Sequence, residues 1–350
     1  MTDDPVDVLT GVRDGVGRIT LDRPRAMNAL TRPMVGAVDA ALHAWRDDPE
    51  VEVVLIDGSG ERGLCAGGDI KSFHASALGD GTEARAFWVE EYAMNAHIDT
   101  YPKPVVALMF GAVLGGGVGI SAHAEHRLVT EGSSVGMPEV GIGFVPDVGG
   151  TWLLGHAPGE LGLYVALTGL PVGPGDALLC GLADAYVTPE TMSAVRDAPQ
   201  AAALLSLVLG GAGSPPPGVL AGRREWIDTC FAAPTAVDIL SALRATGVAE
   251  AHETADLIET RSPEAVELTL LAVRRARTLS TLREALEMEL ALSTASLERP
   301  DFVEGIRAQV IDKDRNPRWQ PASLSVLDAV EVARRFHRWV EPSPEGAANR

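Results

Sequence analysis

Apolar positions along residues 6–57 change their spacing three times, and the changes predict strand, strand, helix, strand. In Val16-Gly-Arg-Ile-Thr-Leu21 polar and apolar residues alternate and β-branched residues are frequent, which is the pattern of a strand; Asp22-Arg-Pro24 breaks it. Thr31 then offers an N-cap with Pro33 just inside, and Val35, Val38, Leu42 and Trp45 follow at helical spacing until Asp47-Asp-Pro49. Residues 51–57 (VEVVLID) form a short apolar run, and 105–110 and 127–130 repeat that type. Strands alternating with helices predict an α/β core with a mainly parallel sheet.

Near residue 190 the pattern changes. Segments 190–200, 235–246, 249–260, 263–277 and 282–297 have helical spacing with no convincing strand between them, and 210–218 (GGAGSPPPG) reads as a solvated connection. The expected organisation is an α/β core over 1–190, a helical C-terminal region over 191–340 that packs on the core, and a loose tail at 341–350. No internal repeat is found. Residues 105–122 carry no charge over 18 positions, the lower limit for a membrane span. Five of those positions are glycine, so a buried strand entering a glycine-rich turn is the better reading.

Composition narrows the partners. The 350 residues include 48 acidic and 29 basic side chains, a net charge of −19. Such a surface repels phosphate backbones and anionic lipid, which argues against nucleic-acid and membrane roles. Cys65, Cys180 and Cys230 are far apart and odd in number, which fits a reducing compartment. The acidic N-terminus resembles neither a signal nor a transit peptide, so the expected location is cytoplasmic.

Three glycine-rich loops carry the candidate chemistry. Cys65-Ala-Gly-Gly-Asp-Ile-Lys71 holds adjacent glycines that would let a backbone N–H approach a ligand, or simply a tight turn. Gly111-Ala-Val-Leu-Gly-Gly-Gly-Val-Gly119 ends a strand and opens a small-residue helix; its loose match to a dinucleotide fingerprint comes too late in the chain for a first βαβ unit. In Gly136-Met-Pro-Glu-Val-Gly-Ile-Gly-Phe-Val-Pro-Asp-Val-Gly-Gly150 the only charges are Glu139 and Asp147. A carboxylate in an apolar loop is desolvated, its pKa rises, and it becomes suited to proton transfer. The alternative is structural, with Asp147 capping the helix that follows. His123 and His126 lack a third metal ligand, no GxSxG elbow is present, and no metal is expected.

Together these loops resemble the crotonase (enoyl-CoA hydratase/isomerase) superfamily. The matching segments are Arg23-Pro-Arg-Ala-Met-Asn-Ala-Leu30, Cys65-Ala-Gly-Gly-Asp69, Lys103-Pro104, Gly115-Gly-Gly117, and Pro138-Glu139 with Gly141, in family order. The likeness is greatest to the 3-hydroxyisobutyryl-CoA hydrolase branch. It rests on Glu90-Glu-Tyr92 before Asn95, the 137–150 loop, Leu167-Thr-Gly169, Asp301-Phe-Val-Glu-Gly-Ile-Arg-Ala308, Ile311-Asp-Lys-Asp314 and Pro317-Arg-Trp-Gln-Pro321.

The resemblance implies a spiral of ββα units, an acyl-CoA thioester substrate, and an oxyanion hole from the N–H groups of Gly68 and Gly116. It implies that Glu139 is base or nucleophile, that Asp147 holds a 3-hydroxyl, and that Glu91 and Gly116 also line the substrate site. Coenzyme A is strongly anionic and the chain acidic, so local cations must help: Arg23, Arg25 and Lys71 are the candidates, or else charges that only solubilise the surface, and Ala26, Ala66, Asp69 and Ile70 are grouped with them as coenzyme A contacts. Coenzyme A is part of the substrate and no other cofactor is implied; a homo-oligomer is compatible. Hydratases use two glutamates, and the first would fall at Gly119, so the resemblance favours hydrolysis over hydration. An isomerase using one acid and a non-catalytic acyl-CoA-binding protein are the other readings.

Overall fold

The computed structural model describes residues 7–341, so the expected tail at 341–350 lies, except for Glu341, outside the described residues. Among the described residues eight strands are formed: β1 (Val8–Arg13), β2 (Gly15–Leu21), β3 (Val51–Gly58), β4 (Val105–Met109), β5 (Ala112–Leu114), β6 (His126–Val129), β7 (Ser134–Gly136) and β8 (Ala185–Tyr186). The larger sheet has the order β1-β2-β3-β4-β6-β8, antiparallel only at its first pair, and β5 and β7 form a second, parallel pair. All five residues of β4 (VVALM) are buried, as expected of a parallel strand covered on both faces.

The early helices are α1 (Arg32–Trp45), α2 (Ile70–Ala77), α3 (Thr82–Asp99), α4 (Gly116–Ser121), α5 (Gly150–Gly155), α6 (Leu161–Thr168), α7 (Pro174–Leu179) and α8 (Pro189–Arg196). After them come α9 (Ala201–Gly210), α10 (Leu220–Phe231), α11 (Ala236–Ala245), α12 (Ala249–Glu259), α13 (Pro263–Ala276), α14 (Leu282–Ser296), α15 (Pro300–Ile306) and α16 (Ala329–Val340). Thr31 is the N-cap residue of α1 as expected, but its side chain makes no capping hydrogen bond.

The spiral follows from how consecutive strands are shared out. β4 joins the large sheet and β5, three residues later, joins the small one before α4 begins; β6 and β7 repeat the step. One turn earlier, β3 lies in the large sheet and Cys65 bridges Val113 of β5 in parallel. Each turn therefore gives one strand to each layer, the ββα repeat expected. The uncharged 105–122 stretch is two strands and a short helix. No helix among the described residues is long and apolar enough to cross a membrane.

The chain forms two compact units: Met1–Asp69, Val89–Gly136 and Pro171–Ala221 in the first, and Ile70–Trp88, Met137–Leu170 and Gly222–Arg350 in the second. In the first, Val53, Leu55, Val106 and Leu128 of the large sheet pack with Val195 of α8 and Leu204 of α9. In the second, α13 packs on α5, α6 and α16, and Leu268, Ala272, Leu292, Val332 and Phe336 share a core. The expected boundary at 190 is where strands end, not where the units divide. α8 and α9 join the sheet, whereas residues from 222 join 137–170. The hydrophobic pattern alone does not single out α9, because AAALLSLVLG lacks a polar face to set its period. All three cysteines are free and buried. Burial pushes the Cys65 and Cys180 thiols up to about 12 and raises that of Cys230.

Candidate active site

In the first unit the two expected amides lie side by side. Cys65 and β5 run in parallel, with Cys65 N donating to Ala112 O (3.2 Å) and Leu114 N to Cys65 O (3.0 Å). Each segment then turns at a glycine with positive φ, Gly67 (+104°) and Gly115 (+50°), conformations that side chains resist. The next residues are Gly68 and Gly116. A Cβ built on Gly116 would stand 3.3 Å from Gly68 N, so the two loops come within one atom's width of each other. Bridging of Leu30 to Gly68 uses Gly67 O and Asp69 N, and Gly116 opens α4; among the described residues neither N–H is taken by a backbone acceptor. Gly117 packs against Cys65, where a Cβ would fall 2.3 Å from Cys65 O.

The 23–30 segment is the bracket for this loop. Asn28 is fully buried with φ +54°, donates from Nδ2 to Ser59 O and Leu64 O (3.0 Å each), and accepts from Arg23 N (2.9 Å). Ala66 N donates to Met27 O (2.9 Å). Glu91 is 2% exposed, and its Oε1 would lie 2.6 Å from a Gly116 Cβ, which places a carboxylate beside Gly116.

The second unit holds the acids. Glu139 starts a 3-10 turn, Glu139–Ile142, and is buried with Asp147. Its Oε2 has no hydrogen-bond partner among the described residues. Burial holds its carboxyl well above the ordinary carboxylate range; Asp147 raises it further and Glu289 adds a smaller share. The turn is held from behind by the 301–308 motif. A Cβ on Gly305 would fall 2.3 Å from Ile142 O and one on Gly143 (φ +72°) 2.4 Å from Asp301 O, so α15 touches the turn backbone to backbone. Arg299 donates to Gly143 O (3.0 Å), and Asp301 accepts from Ser262 Oγ (2.5 Å) and Gln320 N (2.7 Å).

Asp147 lies two residues before the N-cap position of the helix that follows, and its carbonyl accepts from Gly150 N (2.6 Å). The N-cap residue of α5 is Gly149. Its N–H and that of Thr151 go to Glu289 of α14, 2.7 and 2.9 Å away. Glu289 is fully buried, and its carboxyl is pushed up to about 8 by burial, against the downward pull of its hydrogen bonds. Sequence reasoning missed this residue. Its signal is an acid in the apolar stripe of α14, in line with Ala285, Met288 and Leu292.

The coenzyme A candidates fare unevenly. Arg23 is paired with Asp69 (2.9 Å) and reaches Asp7 (3.5 Å), so it is a bracket of the loop rather than a free cation. Arg25 and Lys71 are exposed, and Ala26, Ala66 and Ile70 are partly buried. His123 is buried and His126 stands beside Glu125 (3.8 Å). A different trio, Asp39, His43 and His97, brings metal-capable atoms within 4.8 Å on α1 and α3, already joined by a 3.0 Å contact from His97 Nδ1 to Asp39.

A family model described as enoyl-CoA hydratase/isomerase matches residues 16–336. The chain is 37% identical over 331 residues to the mitochondrial 3-hydroxyisobutyryl-CoA hydrolase of Danio rerio, covering 91% of this chain and 86% of that protein. It is 34% identical to the enzyme of the same name from Homo sapiens, covering 96% and 89%. Among solved structures, a carnitinyl-CoA dehydratase from Mycobacterium thermoresistibile superposes with a TM-score of 0.91 at 48% identity, over 97% of this chain and 98% of that one. An enoyl-CoA hydratase from Rhodobacter sphaeroides 2.4.1 superposes at 0.87 and 41%, with the same coverage.

Proposed function

The chain belongs to the enoyl-CoA hydratase/isomerase family, and we propose that within it the protein is an acyl-CoA thioester hydrolase that converts 3-hydroxyisobutyryl-CoA and water to 3-hydroxyisobutyrate and CoA. The observation that carries this over hydration is position 119. Hydration by paired glutamates needs an acid there, and the chain has a glycine buried in α4. Hydrolysis needs one base or nucleophile and a place for the oxyanion.

As a base, Glu139 takes a proton from water while the water oxygen bonds to the thioester carbon. The negative charge gathers on the carbonyl oxygen, where the Gly68 and Gly116 N–H groups would receive it. The C–S bond then breaks and Glu139 returns its proton to the departing thiolate. Its raised pKa suits it to both transfers. The names of the two solved structures favour hydration or dehydration instead, so the deciding measurement pairs two substrates. Free thiol should appear from 3-hydroxyisobutyryl-CoA, with little hydration of crotonyl-CoA; the reverse ranking would refute the proposal. The reading needs no cofactor beyond the coenzyme A that the substrate brings, and keeps the cytoplasm as the expected location.

Asp147 has the role of holding the 3-hydroxyl. A hydrogen bond to a charged acceptor contributes roughly 1.5–3 kcal/mol. Asp147→Asn should therefore lower kcat/KM about 10- to 100-fold on 3-hydroxyisobutyryl-CoA and much less on isobutyryl-CoA. Equal losses on both thioesters would remove the hydroxyl-binding role.

A further inference from the structure

Val148, between Asp147 and Gly149, has φ +52°, a conformation that a β-branched residue adopts only under constraint. Gly149 follows at φ +80°, and Gly150 N donates back to Asp147 O (2.6 Å). Two consecutive left-handed residues make a turn that would relax if nothing held it. Three of its donors are held from 138 or more positions away: Glu289 takes Gly149 N on Oε2 (2.7 Å) and both Thr151 N (2.9 Å) and Thr151 Oγ1 (2.5 Å) on Oε1. On the other side, a Cβ on Gly150 would meet Met137 Cε at 2.6 Å, so the Met137 side chain packs directly against the turn.

We propose that Glu289 is a positioning residue of the reaction, clamping the Asp147–Thr151 turn so that Asp147 is presented to the 3-hydroxyl of the substrate. This rests on the hydrolase reading and on the role given there to Asp147. A helix-buried acid is costly to keep, and a stripe position of this kind would be apolar if packing alone set it. The two oxygens of Glu289 face three donors of one turn, an arrangement that a neutral amide cannot copy because one of its arms only donates.

The test uses the full chain and Glu289→Gln, with two readouts. The first is the ratio of kcat/KM on 3-hydroxyisobutyryl-CoA to that on isobutyryl-CoA, expected to fall about tenfold or more, since a displaced group costs on this scale. The second is amide hydrogen exchange over 147–155, expected to be about tenfold faster or more while the rest of α14 keeps its protection. A purely structural Glu289 would lower the melting temperature and leave both the ratio and the local exchange unchanged, which would overturn the proposal. If wild-type protein releases CoA from neither thioester, the hydrolase reading falls, and the exchange result decides the clamp by itself. If Glu289→Gln does not fold, Thr151→Val removes the hydroxyl arm alone and should move both readouts in the same direction by less.

Discussion

In Glu139→Gln, thioester hydrolysis is expected to fall by about 10²- to 10⁴-fold, the range general acid–base catalysis supplies, with the fold intact. Stability should move the other way. The native state raises the Glu139 pKa, so it keeps a proton that the unfolded chain has released. That contribution to stability is whole below the ordinary carboxylate range and is lost as pH rises through the folded-state value. Glutamine carries no such titration, so the variant should melt higher than wild type at neutral and alkaline pH. The gap should close toward about pH 4, where both side chains are neutral. In wild type the same raised pKa means that activity climbs with pH through a limb above the ordinary carboxylate range, and that limb should vanish from the residual activity of the variant. A Glu139→Gln protein that retains hydrolysis, or that melts lower across the whole range, would remove the assignment.

A single methyl at Gly116 should be nearly as damaging. Its carbon would stand 3.3 Å from Gly68 N and 2.6 Å from Glu91 Oε1, crowding the two amides to which the hydrolase reading gives the oxyanion. Losing an oxyanion donor costs roughly 10²- to 10³-fold in kcat, and Gly116→Ala is expected to lose that much while folding. Its neighbour separates geometry from chemistry. Gly117→Ala would press a methyl to 2.3 Å from a backbone oxygen and should fail to fold, whereas Gly36→Ala on α1 meets nothing within 4 Å and should keep full activity. Kinetics on the three purified variants, read beside their circular dichroism, check this ordering. Wild-type kcat in Gly116→Ala would sink the oxyanion role of that amide.

Much of this was legible because it is local. The alternation of residues 16–21 and the helical spacing from Val35 to Trp45 correspond to β2 and α1, and the glycine pairs mark the turns at 67 and 115. Glu139 stood out because no other charge but Asp147 shares its loop. Partners brought from a distance were not legible. Arg23 looked like a cation for coenzyme A, and only the fold shows Asp69 facing it. Asp147 looked like a cap, and the acid that takes the N–H groups there lies in α14. The motif at 301–308 stands out as a string, but the contact it makes, Gly305 against the backbone of Ile142, joins residues about 160 positions apart, a separation at which local pattern carries no signal. The compact units could not be read either, since the second is assembled from three separate stretches of chain.

The burial of all three thiols has a practical side. Disulfide exchange needs a thiolate that an outside reagent can reach, and in the native protein burial denies Cys65, Cys180 and Cys230 both access and ionisation. An aromatic disulfide added to a reaction would then react with the liberated CoA and ignore the catalyst. The turnover can be followed continuously by colour, with no enzyme blank to subtract. The same reagent, without substrate and in rising urea, becomes a counter of unfolded chains, each yielding its three sulfurs as the core opens.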